Sequence, residues 1–566
     1  MSIFSKAKCL FDKGEYAKAL ELYENAGETY GREIVQYNID RCKEALVDSF
    51  KLDKVTQLPV QNRETGGANS KELLNHYDTL DKVSGEDSAV EYSELVFTSM
   101  LPFDDSNAPE ALNDFSWYKK LFNKTIESQP ALSVVIPTFN RARLLRITLA
   151  CLVIQRTNYN FEVIVADDGS SENIVAVVRE FESKLDLKYV RQQDKGYQLC
   201  AIRNLGLRAS KYPFVAILDC DMAPDESWVE SYIEALIQNE DTAYIGPRKY
   251  IDTSAVSCND IIAKKSRLKE FAEIPAKEAL GRVASNGVSK DWRLKHFAET
   301  DSLRLSRFPF RFFSCGNVAF AKKWLKKVGW FDEEFNDWGG EDNEFGYRLF
   351  RAGCFFKSLE GAMAFHQEPP GAENETDRDA GKKITSEIVV QKVPVFYRKA
   401  KYIENANLFE TSLVSIIIIG PQTTSSIERA VNSILNQTLA DLQVQIFSEY
   451  LSPDTLDFVN KKFSQNPRVR IIGAFEKGNE PTSFDEQINS GNSYYICFIT
   501  GGHILPPNAF ENTLELLANK NDLNYVTVAD SESGKTVFKM YSSRVYNILK
   551  NMDEPNMYSA LIDLKL

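Results

Sequence analysis

Val215-Ala-Ile-Leu-Asp-Cys-Asp-Met-Ala-Pro224 is the stretch on which the reading of the chain turns. Four apolar residues, enough for a buried strand, run straight into two carboxylates one residue apart, Asp219 and Asp221. A strand that delivers Asp-x-Asp to its carboxyl end is placed to hold a divalent cation, and a hard cation in turn holds a diphosphate through oxygen. Taken alone, the motif is short enough to arise by accident, as two acids that stop a strand and cap the next helix. Its neighbours decide between the two.

Upstream, Leu132-Ser-Val-Val-Ile-Pro-Thr-Phe-Asn140 reads as a buried strand ending at Pro137, followed by a helix from about Arg143 through Leu152. Phe161-Glu-Val-Ile-Val-Ala-Asp-Asp-Gly-Ser170 is a second strand that ends in acids and a glycine turn. A helix through Ile174 to Phe181 and a strand at Leu187-Lys-Tyr-Val190 continue the alternation. This spacing predicts an α/β fold with a parallel, doubly wound sheet, whose ligand site lies at the strand carboxyl ends. Asp167, Asp168, Asp219 and Asp221 then converge on one edge, which capping alone does not explain.

At 566 residues the chain exceeds one core, and roughly three to four domains are expected. A net charge of -13 argues against a general nucleic-acid binder. No run of about 18 apolar residues predicts a transmembrane helix, and Met1-Ser-Ile-Phe-Ser-Lys gives way to charge too soon for a signal peptide. Nine cysteines without paired spacing fit reduced cytosolic thiols, and four scattered histidines argue against a His-rich metal cluster. Residues 1–50 read as a small helical unit, in which Gly14-Glu-Tyr-Ala-Lys-Ala-Leu-Glu-Leu-Tyr23 resembles one tetratricopeptide-type helix pair. Residues 51–130 read as a linker and docking segment, polar to about 95 and then aromatic.

Pro137-Thr-Phe-Asn, Ala166-Asp-Asp-Gly-Ser and Leu218-Asp-Cys-Asp together resemble family 2 glycosyltransferases of GT-A fold. Further motifs extend the likeness: Gly316-Asn-Val-Ala-Phe-Ala, Gly329-Trp-Phe-Asp-Glu-Glu-Phe, Trp338-Gly-Gly-Glu-Asp-Asn-Glu-Phe-Gly-Tyr-Arg and His366-Gln-Glu-Pro-Pro-Gly. In this order, over residues 131–400, they look like the hexosaminyl-transferring module of soluble bacterial chondroitin and hyaluronan synthases. The resemblance implies a UDP-sugar donor, a divalent metal and an inverting transfer that makes a β-linkage.

Residue by residue, the likeness places the donor against Pro137, Phe139, Arg141, Asp168, Arg203, Asp219, Cys220, Trp338, Gly339 and Gly340. Asp168 can accept the uracil N–H beside an apolar wall of Pro137 and Phe139. Arg203 can reach phosphate or pair with the nearby acids. Asp219, Asp221 and His366 become the metal ligands, and an imidazole favours Mn²⁺ over Mg²⁺. Inverting transfer needs a carboxylate near the acceptor hydroxyl. Asp342 is the expected base, Glu341 the expected partner of the donor sugar, and Trp338 can stack on a pyranose. The same two acids also suit the first turn of a helix.

Residues 250–313 are rich in Lys and Arg, including Lys264, Lys265, Arg267, Lys269, Arg293, Arg304, Arg307 and Arg311, which suits an anionic or lipid-linked glycan acceptor. Residues 411–566 read as a degenerate, truncated second GT-A-like domain, repeating the first at an offset of about 281 to 282 residues. Ser415-Ile-Ile-Ile-Ile parallels Ser133-Val-Val-Ile-Pro, and Gln437 falls where Gln155 does, but Thr500-Gly-Gly stands in place of Asp-Cys-Asp. The expected function is transfer of one N-acetylhexosamine to a bacterial surface glycan. The alternatives are a two-donor chondroitin- or hyaluronan-type polymerase and an assembly scaffold. The expected setting is the cytoplasm, peripheral to the inner membrane, with capsule or lipopolysaccharide assembly proteins as partners and no nucleic acid.

Overall fold

The computed structural model describes residues 17–20, 22, 90–91, 94–102, 108–121, 129–274, 284–285, 288–289, 291–367, 378–398, 409–420, 422–473 and 492–551. The chain divides into two units, residues 1–67 and 68–566. Residues 17–20 and 22 of the first unit are helical, and the rest of the proposed helical unit lies outside the described residues. Among the described residues no helix is long and apolar enough to cross a membrane.

In the second unit, β1 (Val90–Glu91), β2 (Leu95–Met100) and α1 (Phe115–Leu121) precede the first sheet. Then come β3 (Ala131–Thr138), α2 (Ala142–Val153), β4 (Asn160–Asp167), α3 (Ile174–Arg179), β5 (Leu187–Arg191), α4 (Leu199–Ala209) and β6 (Phe214–Leu218). They are followed by β7 (Met222–Pro224), α5 (Trp228–Gln238), β8 (Thr242–Ile245), β9 (Arg248–Ile251) and β10 (Asn317–Ala321). The module closes with α6 (Glu341–Arg351), β11 (Phe355–Ser358), β12 (Ala364–Gln367) and α7 (Arg378–Lys392).

The sheet order is β11-β8-β10-β6-β3-β4-β5, with β6, β3, β4 and β5 parallel and β10 antiparallel to both its neighbours. Every residue of β3 and β6 is buried, as expected for parallel strands covered on both faces by helices. The doubly wound α/β fold is therefore as the sequence pattern predicts. A small second sheet, β7-β12-β9, sits at the end of β6 and brings the His366 strand to the Asp-Cys-Asp turn.

The second module repeats this plan. Its elements are β13 (Val414–Ile419), α8 (Thr424–Leu435), β14 (Leu442–Phe447), α9 (Pro453–Phe463), β15 (Val469–Ile472), β16 (Tyr495–Thr500), β17 (His503–Ile504), α10 (Ala509–Asn519), β18 (Tyr525–Asp530), β19 (Thr536–Ser542) and α11 (Ser543–Asn551). Their sheet order is β15-β14-β13-β16-β19-β18-β2, seven strands like the first. Side-chain hydrogen bonds repeat too. Gln155 Nε2 donates to Cys151 O (3.0 Å) and Asp225 O (2.7 Å), while Val229 N donates to Gln155 Oε1 (2.9 Å). Gln437 Nε2 donates to Ser433 O (3.4 Å) and Pro506 O (2.9 Å), while Phe510 N donates to Gln437 Oε1 (3.4 Å).

One expectation fails here. The segment around residue 96 is not a linker docking only on the domain that follows it. β2 pairs antiparallel with β18, and β1 pairs parallel with β17, so a strand from before the first module completes the sheet of the second. From Glu110, which pairs with Arg304, the described segment docks on the first module, where Asn113 Nδ2 donates to Leu303 O and Phe356 O and the Tyr118 ring packs on Phe355. The pairing partner lies more than 400 residues away, so no local periodicity could announce it. A chain begun at residue 101 should expose the β18 edge. Amide exchange across Tyr525–Asp530 should then accelerate at least about tenfold relative to the full chain, and unchanged protection there would contradict the pairing.

Candidate active site

β6 ends at Leu218 and releases Asp219 into the crevice, with Asp219 N donating to Gly316 O (3.1 Å). A tight turn, Met222 N to Asp219 O (2.9 Å), sets Asp221 between β6 and β7. A Cβ on Gly316 would lie 2.7 Å from Asp219 Oδ2, so this residue must be small for the carboxylate to sit where it does. On the other side, β12 runs antiparallel to β7 with His366 opposite Met222, and Gln367 N donates to Asp221 O (2.8 Å). The Gln367 side chain is pinned by Leu144 O, Thr148 Oγ1 and Thr253 Oγ1, which fixes the strand. His366 Nε2 comes within 3.8 Å of Asp221 Oδ2, its ring packed against Tyr250.

The third contributor is α6. Gly339 and Gly340 have φ of +102° and +91°, the left-handed region that favours glycine, and turn the chain sharply into the helix. A Cβ on Gly340 would also fall 2.6 Å from Val389 Cγ2 of α7. Both glycines serve the turn, and Gly340 also serves the packing on α7. The first helical turn carries Glu341, Asp342 and Glu344, where the helix dipole favours negative charge.

Arg203, from the middle of α4, joins the three parts. Its Nη1 lies 3.0 Å from Glu341 Oε1 and 3.3 Å from Asp342 Oδ1, and its Nη2 lies 3.5 Å from Asp219 Oδ1. With 2% exposure it sits beneath the site among carboxylates, paired with the nearby acids. Asp342 Oδ2 also accepts from Cys315 N (3.3 Å). Burial, with the negative charge of Glu341 beside it, pushes the Asp342 carboxyl well above the ordinary carboxylate range. Burial and Asp221 push Asp219 up as well, against the pull of Arg203.

At the second strand end the two acids part ways. Asp167 is spent on structure, accepting from Ser170 N (2.8 Å) and Tyr189 Oη (2.5 Å) and pairing with Arg191. Asp168 is buried, accepts from Gln192 Nε2 (2.5 Å) and Gln198 N (3.1 Å), and is raised by burial. Phe139 is exposed above it in sequence, while Pro137 is buried within β3. Cys220 is buried, with its carbonyl accepting from Thr148 Oγ1, and Arg141 stands at the start of α2. Trp338 is half-buried under the Lys382 ammonium, 4.9 Å from its ring centroid. The Gln192–Gln198 support of Asp168 and the backbone donor at Cys315 carry no motif that sequence reading could have found.

Among the described residues, no three His, Cys, Asp or Glu side chains form a closed metal cage. The arrangement nevertheless suits a cation that keeps water and phosphate ligands and takes only one or two carboxylates from protein. The Asp219 and Asp221 side chains are 39% and 29% exposed, and His366 stands beside the second.

The sequence matches the model of glycosyl transferase family 2 over residues 133–329, and that described as the N-terminal domain of galactosyltransferase over residues 297–367. It is 47% identical to the chondroitin synthase of Escherichia coli over 91% of this chain and 78% of that protein. It is 46% identical to the chondroitin synthase of Pasteurella multocida strain Pm70 and 44% identical to a Pasteurella multocida hyaluronan synthase. Each match covers 92% of this chain, which spans 56% of either protein's length. Among solved structures, S. aureus TarS residues 1–349 with UDP-GlcNAc aligns at 16% identity and a TM-score of 0.31, over 50% of this chain and 77% of that one.

Replacing Arg203 by Met should leave buried acids unpaired and cost about 3 kcal/mol in urea unfolding at neutral pH. Removing the cation takes away the pull that lowers the folded-state pKa values of Asp219 and Asp342, so both rise further. The deficit against the parent protein should therefore shrink as pH falls and the carboxyls take up protons; a deficit constant with pH would argue against the ion-pair role.

Proposed function

The chain belongs to the family 2 glycosyltransferases, and from that premise we propose that it transfers N-acetylhexosamine, GlcNAc or GalNAc, from a UDP-sugar to a bacterial surface glycan. The transfer inverts the anomeric centre and forms a β-linkage. The observation that carries this reading is the Arg203 cluster, which ties the Asp-Cys-Asp turn to the acidic start of α6. One reaction needs both parts, a diphosphate holder and a base set apart from it.

Asp342 takes the base role. Its carboxylate, positioned by Arg203 and Cys315 N and raised in pKa, accepts the proton of the acceptor hydroxyl. The hydroxyl oxygen bonds to the anomeric carbon as the bond from that carbon to the UDP oxygen breaks on the opposite face. Glu341 Oε1 is held by Arg203, while its buried Oε2 has no hydrogen-bond partner among the described residues. A hydroxyl or amide N–H of the donor sugar would satisfy it, since an orphaned buried oxygen is costly. Asp168 keeps lone pairs for the uracil N–H beyond the two bonds it accepts within the chain. Asp219, Asp221 and His366 would hold Mn²⁺ or Mg²⁺, which neutralises charge on the departing UDP.

For the acceptor, the basic segment narrows. Arg293 is buried on Asp291, Arg304 pairs with Asp301 and Asp114, and Arg307 pairs with Asp522. Arg311 meets the residue after the base, its carbonyl accepting from Asn343 Nδ2 (3.3 Å), and its guanidinium rests on the Phe396 ring. Trp292, 44% exposed, extends that wall through Phe312. An aromatic face with an arginine beside it suits a pyranose chain bearing carboxylates. The cytoplasmic side of the inner membrane, among capsule or lipopolysaccharide assembly proteins, is the setting this chemistry fits.

The second module enters as a module without its own transfer. At the positions of Asp219 and Asp221 it carries Thr500 and Gly502, and the Gln422 side chain rests on Gly501 between them. The two-donor reading draws on the synthases to which the chain is similar, and the two readings separate in one assay. With Mn²⁺ and an oligosaccharide acceptor, one addition is expected from UDP-GlcNAc or UDP-GalNAc and none from UDP-GlcA. Sustained growth with both donors would favour the polymerase.

Two substitutions test the roles. Asp342→Asn should lower kcat by about three orders of magnitude while UDP binding in calorimetry stays within twofold. Gly316→Ala, whose methyl must displace Asp219, should weaken Mn²⁺-dependent UDP binding with little change in melting temperature. Full turnover by Asp342→Asn would remove the base assignment.

A further inference from the structure

The second module holds the far end of α6. Three contacts at the last turn of that helix cross to it: Tyr347 Oη donates to Asn492 O (2.7 Å), Arg351 Nε to Ser493 O (3.0 Å) and Arg351 Nη1 to Asn492 Oδ1 (3.2 Å). In return, α11 sends back two buried side chains. Asn547 Nδ2 donates to Arg351 O (3.0 Å). Arg544 Nη1 donates to Phe350 O and to Cys354 O (2.9 Å), and its Nε donates to Leu112 O (2.6 Å).

Arg544 is 1% exposed, and among the described residues the ionisable groups that act on it are Cys354, Tyr494 and Tyr118, none of them a carboxylate. Its guanidinium instead stacks over Phe350 and Phe355, 4.0 and 4.8 Å from their centroids. A cation buried without an acid is costly, and what offsets the cost here is the end of a helix. Just past the helix, Ala352 N, Cys354 N and Gly353 N donate to Arg348 O, Leu349 O and Phe350 O, and Arg544 and Asn547 add donors to Phe350 O and Arg351 O at the negative end of the helix dipole. The positive end of the same helix faces the active-site crevice with Glu341 and Asp342.

We propose that the second module acts as an intramolecular positioning domain, in which Arg544 and Asn547 fix the C-terminal end of α6 and thereby the placement of Glu341 and Asp342. The lever is short and stiff. Eleven residues span about 16 Å, so a tilt of about 3–4° at the far end moves the acids by about 1 Å. A displacement of that size is enough to cost about a hundredfold in rate when the base must meet a hydroxyl. Arg544 and Asn547 touch no substrate; they are positioning residues, and their role in catalysis rests on the reading of Asp342 as the base.

The test uses the full chain with Arg544→Met, Arg544→Lys, Asn547→Ala and Arg307→Met. The last breaks a different cross-module pair, Arg307 to Asp522, that does not touch α6. For Arg544→Met we expect kcat to fall about 10- to 100-fold, with donor KM and UDP binding within twofold and faster amide exchange in the first turn of α6. Arg544→Lys should recover part of the rate, because an ammonium can still reach one carbonyl. Arg307→Met should lose melting temperature but keep kcat within twofold.

Folded Arg544→Met with parental kcat and parental exchange would overturn the proposal. So would an equal loss of kcat in Arg307→Met, which would mean general loosening of the interface. If Arg544→Met does not fold, Asn547→Ala decides by the same criteria, with a kcat loss of about 3- to 10-fold expected and none overturning. Failure of the base assignment has a separate signature: Asp342→Asn would turn over normally while the exchange effect at α6 remained.

Discussion

A guanidinium buried among three carboxylates is the constraint on which the site depends. Removing Arg203 and its partners from water costs several kcal/mol per ion, and only good geometry compensates. The geometry comes from packing. Three residues along α4, a Cβ on Gly206 would fall 2.4 Å from Val135 Cγ1, so the helix can lie close on β3 and carry Arg203 deep. Asn204, beside it, donates to Phe331 O (2.9 Å) and Glu333 Oε1 (2.8 Å) and accepts from Phe331 N (2.9 Å), tying down the loop that leads toward α6. One helix thus sets the position of acids that arrive from two other places in the chain.

The charge balance of that cluster explains its chemistry. Asp219, Glu341 and Asp342 share the Arg203 guanidinium, and the raised pKa values of Asp219 and Asp342 express burial together with surplus negative charge. A divalent cation at the exposed Asp219–Asp221 side would relieve the surplus there. Arg203 keeps the rest attached to Asp342 without neutralising it. A base needs that division: enough support to stay in place, and enough surplus charge to take a proton.

Much of this was legible because it is local. The apolar runs of β3, β4 and β6, each ending in polar or acidic residues, announce a parallel sheet and its ligand edge, and the acidic turn after Gly340 announces a helix start. Arg203 was visible as a candidate, but whether it met phosphate or acid depended on depth, which no motif encodes. Arg304 and Arg307 read as part of a basic segment suited to an anionic acceptor because their partners, Asp114 and Asp522, lie about 190 and 215 residues away in sequence. β2 was hidden for the same reason, since an edge strand takes its identity from the sheet it joins.

The second module shows which features of the repeat the chain retains. Gln437 makes the three bonds that Gln155 makes, at matching positions, so the framework that joins α8 to the start of α10 is intact. The carboxylates are not: Thr500 hydrogen-bonds His503 (2.7 Å), and Gln422 covers Gly501 where the first module opens to solvent. The second module's seven-stranded sheet is completed by a strand from before the first module, and under the proposed reading what that sheet supplies is rigidity. The first module offers α6 an acidic N-terminus with an arginine to meet it, and its own backbone meets Arg348 O, Leu349 O and Phe350 O at the other end. Arg544 adds a donor at Phe350 O and Asn547 supplies one at Arg351 O, so the two buried arginines hold the helix from both ends.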